Sequence, residues 1–308
     1  MERPERIILE ETGAAGALCE TAVSHIGFQV PDVAAAEAFY GQVLGLYRHS
    51  EVQGGVRLGW GGGHHVLELV EGPKGLKHYA FEVRDADGVA GIRARLESAG
   101  YEVSDLEASF ITAPVGIAQG ISVTDPDGTE VHFHSQVQRQ GENAADTGRR
   151  PIKYQHVTVG TANVERMVSF FTKFVGFRIS DQLHDGHFCW LRSDRDHHTL
   201  AVVHDGKGGD IDHYSYDLAE WEDFKAWCDR LTELGVDVAW GPGRHGPGNN
   251  LFVFFDDPAG NHIELSAEME KFHDDRVTYV PRRWEPKPNS VNLWGGQLPQ
   301  WRKVSESN

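Results

Sequence analysis

The chain has 308 residues, enough for two ordinary domains with real cores, and a net charge of -17 that argues against nucleic acid or an anionic membrane as a partner. Hydrophobic residues at 40% and charged residues at 24% are ordinary globular values, and no stretch approaches the length of a membrane span. Cys19, Cys189 and Cys228 form no CxxC pair, and the opening MERPERIILEETG flanks a short apolar run with charges on both sides, so a reducing cytoplasmic setting without a signal peptide is expected.

In chain order, residues 22–30 predict a strand, after which Asp32 can cap a helix carrying Ala36, Phe39, Tyr40, Val43 and Leu44 and closed by Gly45. Short apolar runs follow at Val56–Trp60 and Val66–Val70. His78–Val83 begins another strand, and Asp87 can cap a helix with Val89, Ile92 and Leu96 inward, ended by Gly100. Strands return at Ala118–Thr124 and, after the Asp125-Pro126-Asp127-Gly128 turn, at Glu130–His134. Each module is thus a strand, a helix, then several strands.

The polar, aperiodic segment before Tyr154 reads as a linker, and then the pattern starts over. His156–Gly160 predicts a strand, and Asn163 can cap a helix with Met167, Phe170, Phe171 and Phe174 apolar, ended by Gly176. The step from His25 to Gly45 equals that from His156 to Gly176, and His213 opens a strand as His78 does. A helix bearing Trp221, Phe224, Trp227, Leu231 and Leu234 matches the one ended by Gly100. Asp257-Pro258-Ala259-Gly260 repeats the turn at Asp125 at nearly the same offset. The chain is therefore an internal duplication of four βαβββ-like modules, an α+β fold in two domains. The expected boundaries are an N-terminal arm at 1–21, a non-catalytic first domain at 22–135, a linker at 136–152, a metal-binding domain at 153–268 and a tail at 269–308. The tail, with Tyr279, Arg282, Arg283, Trp284, Trp294 and Trp301, is expected to pack on the domain or to act as a lid.

Seventeen histidines direct attention to metal sites. His156 and His213 stand in apolar strands, and Glu264 lies between Ile263 and Leu265 in a third strand that follows the aromatic run Leu251–Phe255. A Glu so placed is either solvated or turned inward to something that wants a negative charge. Two imidazoles and one carboxylate make a facial ligand set that leaves open positions, which suits non-haem iron(II), with manganese(II) next.

Several pieces carry a resemblance: Gln155-His156-Val157, His197-His198-Thr199-Leu200-Ala201, Asp212-His213-Tyr214, Gly241-Pro242-Gly243-Arg244-His245-Gly246 and Gly260-Asn261-His262-Ile263-Glu264. From about residue 22 to 301 the chain resembles the two-domain type I extradiol ring-cleavage dioxygenases of the vicinal oxygen chelate superfamily. The resemblance implies a vicinal oxygen chelate fold, iron held by His156, His213 and Glu264, and a substituted catechol opened with O2 beside its two hydroxyls, in a homo-oligomer such as a dimer or tetramer. It further implies that His198 and His245 act as acid–base and substrate-contacting groups. Phe254 stands where the family usually has an active-site tyrosine, which puts the usual contact to the diol in question; Tyr214 and Tyr216 are near in sequence. His198 can protonate an intermediate near neutral pH, and His197 points the other way if both lie in a strand. His245 follows a Gly-Pro-Gly-Arg turn, a loop setting common for functional groups.

Phe254, Trp190 and Trp240 are expected to give an apolar pocket that favours a neutral catechol, unless Arg244, Arg282 or Arg283 reaches it. The alternatives are another enzyme of the superfamily with isomerase or lyase chemistry, or a non-catalytic protein that binds an aromatic compound. The first half carries an echo of the site, with His25, His78 and His132 matching the triad, His65 matching His198 and Ile111 where His245 would be. Three imidazoles can hold a divalent metal, but without the rest of the arrangement this set is expected to be a remnant or an adventitious site.

Overall fold

The computed structural model describes residues 20–60, 64–107, 110, 119–136, 150–272, 279–295, 298–299 and 301. These fall into two compact units, one comprising residues 19–151 with the turn at 257–260, the other 152–256 and 261–308. The first unit runs β1 (Thr21–Val30), α1 (Val33–Leu44), β2 (Tyr47–Val52), β3 (Gly55–Gly59), β4 (Leu67–Glu71), β5 (Gly75–Val83), α2 (Ala86–Ser98), β6 (Val103–Asp105), β7 (Gly120–Thr124) and β8 (Glu130–Ser135). The second runs β9 (Lys153–Thr161), α3 (Val164–Phe170), β10 (Arg178–Leu183), β11 (Phe188–Arg192), β12 (Leu200–His204), β13 (Asp210–Leu218), α4 (Trp221–Glu233), β14 (Val238–Arg244), β15 (Leu251–Asp256), β16 (His262–Ala267), β17 (Arg282–Trp284) and α5 (Pro288–Val291).

Each unit is a pair of βαβββ modules sharing one mixed sheet. The strand order is β2-β3-β4-β1-β5-β8-β7-β6 in the first and β14-β15-β16-β13-β9-β12-β11-β10-β17 in the second, the same arrangement with β17 added at one edge. In both, the modules meet through an antiparallel central pair, β1 with β5 and β9 with β13. The fold is α+β with paired βαβββ modules, as the repeat predicts. Ile111, most of the linker and the expected N-terminal arm up to residue 19 lie outside the described residues, and Thr21, the arm's expected last residue, already belongs to β1. No helix among the described residues is long and apolar enough to cross a membrane.

Local chemistry sets the helix ends. Asp32 accepts the Ala35 N–H at 2.9 Å to start α1, and Gly45 closes it with φ 70°. The cap of α2 is Asp85, which accepts the Gly88 N–H at 2.8 Å, and not Asp87, which lies inside the first turn. Either carboxylate has the right chemistry, but only Asp85 has the extended backbone that a cap needs. Asn163 caps α3 as expected, yet the helix does not run on as a regular α-helix to Gly176. Its last stretch, Phe171–Val175, is a π-helical turn, whose wider spacing lets the consecutive rings of Phe170 and Phe171 both be buried.

The stretch Gly241-Pro242-Gly243-Arg244, expected as a turn, belongs to strand β14. Proline is tolerated there because β14 is an edge strand with register shifts on either side of Trp240. Helix α4 packs Phe224, Trp227 and Leu231 inward, each worth roughly 1.5–3 kcal/mol of burial. Trp221, expected on the same face, is 39% exposed. Replacing Trp227 by Ala is expected to lower the stability of the second unit by about 3–5 kcal/mol in urea unfolding, and Trp221→Ala to cost under about 1 kcal/mol. Equal costs would show that α4 docks differently.

Candidate metal centre

One register row across the second sheet carries most of the site. His156 on β9 pairs with Ser215 on β13, Ser215 with Glu264 on β16, Glu264 with Phe254 on β15, and Phe254 with Trp240 on β14. Partners in adjacent strands project to one face and alternate residues to the other, so these five side chains share a face. A neighbouring row on that face holds Trp190, Ala201, Thr158 and His213. Three residues distant in sequence are thereby brought together.

The Nε2 atoms of His156 and His213 lie 3.3 Å apart, and Glu264 Oε2 lies 3.1 Å from the first and 3.5 Å from the second. Bonds of about 2.1 Å to one ion at right angles would set neighbouring donors about 3 Å apart. Glu264 is wholly buried, and its Oε2 accepts no hydrogen bond. Burial alone would raise the Glu264 carboxyl, but the adjacent His156 overrides this and holds it well below the usual carboxylate range. An ionised oxygen, buried and without a hydrogen bond, facing two imidazole nitrogens is the chemistry of a cation site.

The outward atoms of the three side chains are held. His156 Nδ1 lies 3.2 Å from Gln155 Oε1, and Gln155 in turn donates to Asp217 at 2.9 Å. His213 Nδ1 lies 2.6 Å from Asp212 Oδ1; burial lowers the His213 pKa and Asp212 opposes that shift. Asn250 donates to Glu264 Oε1 at 3.3 Å and to Ser266 Oγ at 2.7 Å. Such contacts fix the tautomer, leaving each Nε2 lone pair directed inward.

His198 packs beside His156 with ring centroids 4.3 Å apart, and burial pushes its pKa well below the ordinary value. It lies just before β12, where its Nδ1 sits 3.0 Å from His197 Nδ1. His197 Nε2 lies 3.0 Å from Asp181, a wholly buried carboxylate that also receives Trp284 Nε1 at 2.8 Å and Arg282 Nε at 3.0 Å. Neither histidine lies in a strand, and His197 stands between His198 and Asp181. His245 follows β14, stacks on Phe252 at 4.0 Å, donates through Nδ1 to the Val291 carbonyl at 2.5 Å and places Nε2 3.6 Å from Glu264 Oε1.

The wall is apolar. Phe254 meets His213 edge-on at 5.1 Å, Trp240 lies 5.2 Å from Phe254 and 5.5 Å from His245, and Trp301 lies 5.8 Å from Phe254. Trp190 stands further along the same face, stacked on Phe188 at 4.1 Å. Neither nearby tyrosine replaces a phenol at Phe254. Tyr216 is on the opposite face, stacked on Tyr154 and donating to its hydroxyl at 3.1 Å, and Tyr214 shares that face. Arg244 is bonded to Asn249, and Arg282 to Asp181 and Glu270. Asp181, Asn250 and Ser215 carry no motif that marks them in the sequence; only the strand register brings them in.

The family model of the Glyoxalase/Bleomycin resistance protein/Dioxygenase superfamily matches residues 22–133 and 153–265. Metapyrocatechase 2 from Cupriavidus necator is 26% identical over 311 residues, covering 91% of this chain and 90% of its own. A manganese-dependent 2,3-dihydroxybiphenyl 1,2-dioxygenase from Geobacillus genomosp. 3 is 24% identical, covering 85% and 87%. The Mn(II)-bound glyoxalase from Novosphingobium aromaticivorans superposes with a TM-score of 0.80 at 30% identity, covering 92% of this chain and 93% of that one.

Asp212→Asn is expected to weaken metal affinity about 10- to 100-fold, because His213 loses the partner that fixes its tautomer. Titration of the chelated protein with iron(II) or manganese(II) measures this. Unchanged affinity would show that Asp212 does not orient a ligand.

Proposed function

We propose that this chain, which belongs to the Glyoxalase/Bleomycin resistance protein/Dioxygenase superfamily, is an extradiol dioxygenase that uses O2 to open the ring of a neutral, substituted catechol. The observation that carries the reading is the buried Glu264 Oε2, ionised and without a hydrogen bond between His156 Nε2 and His213 Nε2. We assign these three residues as metal ligands and iron(II) as the ion, with manganese(II) the alternative, since the set leaves positions open for a diol and O2. The metapyrocatechase and the 2,3-dihydroxybiphenyl 1,2-dioxygenase among the relatives support the ring-cleavage chemistry.

A metal held by His156, His213 and Glu264 would supply Lewis acidity, lowering the pKa of a bound diol, and would leave positions open for the diol and O2. The protein's own groups do the rest. His198, neutral because it is buried, can take a proton from the substrate or oxygen side and return it later in the reaction. Its Nδ1 faces His197, which leans on Asp181, so the ring is held in one orientation. His245, fixed through Nδ1, presents Nε2 toward the centre. Phe254 and Trp240 exclude water and pack against the ring, and Arg244 and Arg282 are already bonded to other side chains. A carboxylate on the substrate would therefore lie against aromatic carbon, which is costly.

A second reading keeps the ligand set and changes the chemistry. The 30% identical structure is called a glyoxalase, and Phe254 removes the phenol expected to contact a diol, both of which fit isomerase or lyase chemistry on a chelated substrate. Oxygen uptake on a catechol panel separates the readings, since only ring cleavage consumes O2.

Glu264→Ala is expected to lose bound metal and oxygen uptake while keeping its secondary structure by circular dichroism; wild-type metal content would sink the ligand assignment. His198→Gln is expected to retain metal and lose about 10²–10⁴-fold in kcat, and a rate within a few-fold of wild type would remove His198 from the mechanism. Alkyl- or aryl-catechols are expected to exceed carboxylated catechols in kcat/KM by at least about tenfold. A preference for the acids would show that an arginine enters the pocket.

A further inference from the structure

The first unit repeats the geometry of the second with a different donor set. His78 is the fourth residue of β5 as His213 is of β13, and His132 is the third of β8 as Glu264 is of β16. His25 occupies on β1 the place of His156 on β9, the sixth residue from each strand's end. His65 stands two residues before β4, as His198 stands two before β12. His25, His65, His78 and His132 are all buried, with exposures from 0% to 3%.

The rings converge as ligands would. His25 Nε2 lies 3.3 Å from His132 Nδ1, close to the edge of about 3.3 Å expected of a tetrahedron with zinc–nitrogen bonds of about 2.0–2.1 Å. His25, His78 and His132 each offer a nitrogen within 4.8 Å of the other two. The remaining nitrogen of His132 lies 2.9 Å from Glu130 Oε1, and that of His25 lies 3.1 Å from His64 Nε2. A carboxylate on the outer face of a ligating imidazole is a common support of metal sites. Two independent observations point inward. The buried Nε2 atoms of His78 and His65 have no hydrogen-bond partner, and a buried polar atom left so is destabilising unless something occupies the space it faces. Gly27, paired with His78 across the sheet, is a cradle: a Cβ there would run into the His78 ring.

We propose that the first unit binds its own divalent metal through His25, His78 and His132, with His65 beside the fourth position, and that this site selects zinc over manganese. The donor set gives the selectivity. Imidazoles without a carboxylate ligand suit zinc and its late-transition neighbours, whereas manganese favours oxygen donors such as Glu264. The wall differs too: Ser122, the partner of His132, stands where the second unit has Phe254, and Phe110 stacks over His25 at 5.5 Å. The site holds an ion tightly enclosed by rings and does not require ring-cleavage activity in the second unit.

The test uses the whole chain, stripped with chelator and titrated with cobalt(II) as a spectroscopic stand-in for zinc. His213→Ala/Glu264→Ala removes the second unit's set. This variant is expected to take up about one equivalent of cobalt with the intense visible absorption of four-coordinate geometry. Zinc should displace that cobalt, while equimolar manganese(II) should not. Adding His25→Ala/His132→Ala, or Gly27→Val as a change that replaces no ligand but crowds the His78 ring, should abolish the absorption. A His213→Ala/Glu264→Ala protein that binds no cobalt overturns the proposal, and so does cobalt that survives loss of His25 and His132. If that variant does not fold, the wild-type chain decides: about two equivalents of cobalt support the proposal and one overturns it.

Discussion

The second unit is organised around a single electrostatic constraint, an ionised carboxylate at Glu264 with no access to water. Such a group costs several kcal/mol unless countercharge and hydrogen-bond donors surround it. Asn250 supplies one donor, and the imidazoles of His156 and His213 face the other oxygen. All of this depends on the pairing of β9, β13 and β16. A slip of one residue in any of the three would turn its ligand to the opposite face, among Tyr154, Tyr214 and Tyr216. The buried aromatic layer behind the sheet therefore serves the His156, His213 and Glu264 cluster indirectly, because it favours the register that brings the three together.

The two units show what a duplicated scaffold leaves free to vary. Strand order, helix placement and the antiparallel central pair are held in common, since they bury the same kind of core. The inward positions are not so bound. Replacing a carboxylate donor by an imidazole, as His132 stands to Glu264, changes the charge of the pocket by one unit without disturbing a strand. The first unit thereby trades affinity for oxygen-preferring ions for affinity toward nitrogen-preferring ones. It also has small Ser122 in place of a phenyl ring, so the two pockets differ in shape as well as in charge.

How much of this could be read in the sequence depended on range. The convergence of His156, His213 and Glu264 was legible because each sits in a short apolar strand and recurs at the spacing of the first half. The modules were legible from caps and closing glycines, with errors where two caps competed, as at Asp85 and Asp87, or where a Gly-Pro-Gly stretch proved to be a bulged edge strand. Asp181, Asn250 and the Val291 carbonyl were not legible. Nothing near them in sequence distinguishes them, and their importance comes from partners reached through strand pairing or from the tail. The family likeness supplied roles for His198 and His245, but what holds those rings in place required the coordinates.

The position of the tail in the chain has a temporal side. The carbonyl that fixes His245 comes 46 residues after it, and Arg282 and Trp284, which hold Asp181, follow every strand from β9 to β16. At synthesis rates of roughly 5–20 residues per second, the ligand-bearing sheet leaves the ribosome seconds before these clamps do. The three donors of the second unit can thus be brought together while the rings of His198 and His245 still lack the contacts that the tail supplies.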